Sequence, residues 1–87
     1  MCTYVTVTRD VEGSGKGPHG WFALQRASVY FDHPVHAQAE HTLNIDFLAP
    51  DRGPSSRVAV ELTAASAREL VDAINAALAS APPELTG

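Results

Sequence analysis

The sequence predicts an α+β fold: four antiparallel strands in a meander, followed by one C-terminal helix packed on one face of the sheet (ββββα). Three observations carry that expectation. Four segments alternate β-branched, aromatic or aliphatic residues with polar ones. The connections between these segments are too short for parallel crossovers, and helical periodicity begins only after residue 63.

Thr3 to Arg9 is almost wholly β-branched or aromatic and alternates in polarity, which predicts the first strand. Gly13, Gly15, Gly17, Pro18 and Gly20 then crowd into eight residues and predict a loop. Trp21 to Phe31 is the second strand. Its apolar phase changes between Phe22/Leu24 and Ala27/Val29/Phe31, so a bulge near Gln25 and Arg26 is expected. The third strand places His41, Leu43, Ile45 and Phe47 on one face and Thr42, Asn44 and Asp46 on the other. Residues 49–56 carry turn chemistry at nearly every position. The fourth strand, 57–62, turns Val58, Val60 and Leu62 inward and Arg57 and Glu61 outward.

Thr63 is the expected helix N-cap, with Ser66 and Glu69 as an alternative capping box. Ala67, Leu70, Val71, Ile74, Ala77 and Leu78 recur at three- and four-residue spacing, so a helix over 64–80 packs an apolar stripe on the sheet. Pro82 and Pro83 end it and leave 81–87 as a loose tail. The expected organisation is one small domain, 1–87. The second sheet face would carry some of Tyr4, Trp21, Ala23, Ala27, Tyr30 and Ala59. It is too apolar to stay wet, which favours a sheet-to-sheet homodimer.

Apolar residues at 45% and charged residues at 18% match a folded globular chain. The net charge of −4 supplies no field for holding a nucleic-acid backbone or an anionic membrane, so neither is expected as a partner. No apolar run approaches a membrane span, and the start, Met1 to Asp10, has no basic segment followed by an apolar one. A single cysteine, Cys2, suits a reducing compartment, and the expectation is a cytoplasmic protein.

Residues 32–41 concentrate chemistry: three of the four histidines, with Asp32 and Glu40, lie within ten positions. Imidazole and carboxylate groups are ligands of divalent transition metals, and three such groups leave a coordination position open for water or substrate. His33, His36 and His41 are the candidate ligands. Zinc is the first expectation, with iron or copper as alternatives. The spacing matches no zinc finger, H-E-x-x-H helix or His-x-His pair, so the signal is compositional. If the third strand begins at Glu40, the pleat sends Glu40 and His41 to opposite faces. Glu40, like Asp32, would then act as a base or orient a ligand.

In a meander, the first strand's start, the second connection and the helix N-terminus share one end of the sheet. Cys2 is therefore expected near the histidines, as a further ligand or a nucleophile. The bland alternative is that hairpin histidines sit idle, His41 packs at a strand start, and Asp32 and Pro34 shape a turn. The Gly13–Gly17 segment is not a phosphate-binding loop: Asp10 stands where the first glycine belongs, no Ser or Thr follows Lys16, and a strand comes next.

At Met1-Cys2-Thr3-Tyr4, Gly13 to Gly17, Gly20-Trp21-Phe22, Asp32-His33-Pro34, Glu40-His41 and Arg57 to Leu62, the chain resembles a family of short actinobacterial proteins of unknown function. The resemblance spans nearly the whole chain. It implies a bacterial cytoplasmic protein encoded beside small-molecule biosynthesis enzymes, and it brings no activity with it. The leading expectation is a small metal-binding enzyme or enzyme component acting on a small organic substrate. Its chemistry would be hydrolase or lyase with zinc, and oxygen chemistry with iron or copper. The rivals are a dimeric, non-catalytic accessory module and a metal-free enzyme built on Cys2 and a histidine.

Overall fold

The computed structural model describes residues 4–87. The strands β1 (Val7–Gly17), β2 (Gly20–Asp32), β3 (Thr42–Leu48) and β4 (Arg57–Leu62) form one open antiparallel sheet in the order β1-β2-β3-β4. The helix α1 (Ala64–Ser80) follows, and then a single turn, α2 (Pro83–Thr86), within the segment expected as a loose tail. The α+β meander is therefore the observed fold.

Strand register sorts the sheet into two faces with different chemistry. Ala27, Val29 and Phe31 of β2 stand opposite Phe47, Ile45 and Leu43 of β3, which in turn oppose Val58, Val60 and Leu62 of β4. That face is apolar, and α1 lies over it, with Leu70, Val71 and Ile74 lining a groove against Val29, Ile45 and Leu62. The reverse face carries Tyr30, Thr42, Asn44, Asp46, Ala59 and Glu61. Ala27 belongs to the helix side, not to the reverse face, because it pairs with Phe47.

The glycine-rich segment departs from expectation. It is not a loop: β1 runs through Gly13, Gly15 and Gly17, and only Pro18 and His19 turn the chain, with Gly17 paired to Gly20. The reason is close packing across strands. A side chain at Gly15 would meet Leu24 and Val58 at 3.1–3.3 Å, and one at Gly17 would press on the Phe22 ring at 3.1 Å. Glycine here lets the hairpin arm curl back towards β4. Residues 4–6, expected within the first strand, lie outside β1.

The bulge falls at the expected level, but its extra residue is on the neighbouring strand. Asp10 pairs with Arg26 and Gly13 with Leu24, so Val11 and Glu12 both stand against Gln25. Gln25 also anchors the arm: its Nε2 donates to Asp51 Oδ2 at 2.7 Å, and the Asp51 backbone N–H donates to its Oε1 at 3.3 Å.

α1 starts where its cap chemistry requires. Thr63 is extended, and its Oγ1 accepts a hydrogen bond from the Ser66 N–H at 3.1 Å. The packing is looser than the stripe predicts. No residue of α1 is buried, and Leu70, Val71, Ile74 and Leu78 remain 41–57% exposed.

Candidate functional site

The β2–β3 register explains how the histidines are placed. Phe31 opposes Leu43 and Asp32 opposes Thr42, so the next opposed positions beyond the ladder are His33 and His41. Successive side chains alternate between faces, so both imidazoles continue the apolar, helix-side columns of Phe31 and Leu43. Their ring centroids lie 4.4 Å apart and tilt by 33°. His41 also stacks on Phe31 at 5.8 Å, and Phe31 meets the edge of Tyr4 at 5.9 Å.

His33 Nδ1 lies 3.1 Å from the Glu40 carbonyl oxygen. With Nδ1–H as donor, the ring is held in the tautomer that leaves Nε2 with a free lone pair, the arrangement that orients a metal-binding imidazole. The Asp32 carboxylate accepts the His33 backbone N–H at 2.7 Å and so shapes the turn that presents the ring.

The structure does not bring His36 to this pair. The tip of the 33–41 connection folds over the reverse face, where the backbone N–H groups of Val35, His36 and Ala37 all donate to the Glu61 carboxylate. His36 there lines a groove of about 510 Å³ with Arg57, Ala59 and Glu61. Glu61 thus draws His36 away from the pair. Glu40 contributes its backbone carbonyl, and its side chain is exposed. Cys2 lies outside the described residues. Among the described residues, no group of three or more His, Cys, Asp and Glu side chains is gathered around one point.

Two features of the reverse face escaped the sequence reading. Glu61, read as an outward charge, latches the connection. The N–H donors of Val35, His36 and Ala37 hold its carboxyl below the usual glutamate range. The second feature is a polar row crossing three strands: Tyr30 Oη donates to Asp46 Oδ2 at 3.0 Å, while Arg57 Nε and Nη2 donate to Asp46 Oδ1 at 3.1 and 2.7 Å. Burial, then the Asp46 hydrogen bond, pushes the Tyr30 phenol up from its ordinary value. A signal for the row was present, because Tyr30, Asp46 and Arg57 all occupy the polar phase of their strands.

A model of a family of unknown function, DUF6295, matches residues 1–87. The chain belongs to that family. No curated protein and no solved structure matches it. No helix among the described residues is long and apolar enough to cross a membrane.

Proposed function

We propose that this is a metal-binding protein in which His33 and His41 clamp a divalent transition metal, serving as an enzyme or enzyme component for a small organic substrate in a bacterial cytoplasm. The observation that supports this reading is the ring pair itself. With metal–nitrogen bonds of about 2.0–2.1 Å, each imidazole centroid stands about 3 Å from a shared ion. A 4.4 Å separation of the ring centroids is within the span that one ion can bridge.

Imidazole donors suit zinc first, with iron or copper as alternatives. Two protein ligands leave several positions open for water, substrate or a further donor such as the Cys2 thiolate. Such a metal would polarise a substrate or activate water. Glu40 or Asp32 would serve as base, and Tyr4 and Phe31 would supply an apolar wall beside His41.

The test is calorimetric titration of tag-free protein with Zn²⁺, Fe²⁺ and Cu²⁺. Stoichiometric uptake that is lost in His33→Ala and His41→Ala and kept in His36→Ala is the expected result. Absence of stoichiometric uptake by the wild type, or uptake indifferent to both His33 and His41, overturns the reading.

A further inference from the structure

The folded chain exposes far more surface than its mass requires. Its accessible area is 6610 Å². A monomeric protein of 9.2 kDa is expected to expose about 4,900 Å², which leaves an excess of roughly 1,700 Å². The radius of gyration agrees: it is 14.5 Å, against about 12 Å for a compact domain of this length. Phe22, Ala27 and Ala49 are the buried apolar residues among those described. Such a fully buried core is small for a chain of 87 residues.

Part of the excess lies on the helix side, where Leu70, Val71, Ile74 and Leu78 are 41–57% exposed. α1 stands off the sheet over an apolar groove of about 300 Å³ between Leu70, Val71 and Ile74 and the β-strand residues Val29, Ile45 and Leu62. Arg68 is the one charged residue lining it. Leu78 extends the stripe beyond the sheet and is 55% exposed. The reverse face carries the Tyr30, Asp46, Arg57 and Glu61 side chains and is partly overlaid by the connection that Glu61 latches.

We propose that a second copy of this chain covers this face. Each α1 would seat its Leu70–Leu78 stripe against the helix–sheet groove of its twofold-related partner. The area argues for this occupant. A stable dimer needs only about 800 Å² buried per partner, about half of the excess of roughly 1,700 Å², and the exposed stripe and groove are the apolar surface placed to supply it. A twofold contact needs one self-complementary patch, and an apolar stripe beside an apolar groove provides it. A small apolar ligand could fill the groove but would leave Leu78 and the outer part of the stripe in water.

Sedimentation equilibrium and light scattering over a wide concentration range test the proposal. The expected result is twice the chain mass for the wild type. Ile74→Glu should give monomer, and Leu85→Glu, which replaces an exposed leucine outside the stripe, should leave the dimer intact. If Ile74→Glu fails to fold by circular dichroism, Val71→Ala decides, with an expected rise in dimer Kd of about tenfold or more. A monomeric wild type, an assembly larger than two, or a dimer indifferent to both Val71→Ala and a folded Ile74→Glu overturns it. These outcomes are independent of metal uptake by His33 and His41.

Discussion

Replacing Thr42 by Val should destabilise the protein although the two side chains are nearly the same size. Thr42 is 0% exposed, and its hydroxyl donates to Asn44 Oδ1 at 2.7 Å; Asn44 is itself 6% exposed. Both sit on β3, on the face over which the 33–41 connection folds. Valine fills the volume but donates nothing. The loss of the bond removes about 0.5–1.5 kcal/mol, and stranding the Asn44 oxygen away from water costs about 1–3 kcal/mol; these overlap, and a net loss of about 2 kcal/mol follows. For a domain of this length that is a fall in Tm of roughly 8–16 °C.

Urea and thermal unfolding at one fixed protomer concentration measure the effect, with an unchanged m-value confirming that the loss lies in stability. Thr42→Val/Asn44→Leu, which removes both polar partners, should recover part of the loss, because no buried acceptor is then left unmet. A Thr42→Val protein within about 0.5 kcal/mol of wild type, or a double variant worse than the sum of the single changes, would refute the reasoning.

Two further outcomes follow from the ends of the elements. Thr63→Ala removes the acceptor for the Ser66 N–H, and thermal unfolding should show a loss of about 1 kcal/mol. Glu61, whose carboxyl is held below 4.5 by the connection's N–H groups, links folding to acid. Between its folded and unfolded values the unfolded chain binds the extra proton, so this contribution is fully present above pH 4.5 and is lost as pH falls through the lower, folded value. Urea titrations should therefore show wild type and Glu61→Gln drawing together as pH drops below 4.5. A constant gap across that window would mean that the latch does not depend on the charge.

Much of the fold and part of the candidate site are legible in the sequence. β4 at 57–62, the helix at 64–80 and the Thr63 cap depend on patterns spanning only a few residues: period-two alternation, three- and four-residue spacing, and a side chain reaching its own helix's first turn. The histidine-rich connection was visible as composition. Which of its rings would meet was also latent in the chain, since His33 and His41 are equidistant from the middle of a hairpin whose ladder pairs Phe31 with Leu43. Reading it required a register, and register depends on both strands at once.

Local residues therefore determined that four strands and a helix exist, where the last two begin and end, and that imidazole chemistry gathers at the second connection. Tertiary structure decided what depends on residues far apart in the chain. Gly15 and Gly17 serve as strand because Leu24, Val58 and Phe22 press against them. His36 parts from His33 and His41 because Glu61, 25 residues further along, captures the connection's amides. The helix stripe lies half-exposed because α1 stands off the sheet over an open groove of about 300 Å³. Propensity and periodicity are properties of neighbours along the chain, whereas close approach, capture and burial depend on which distant segments the fold brings together.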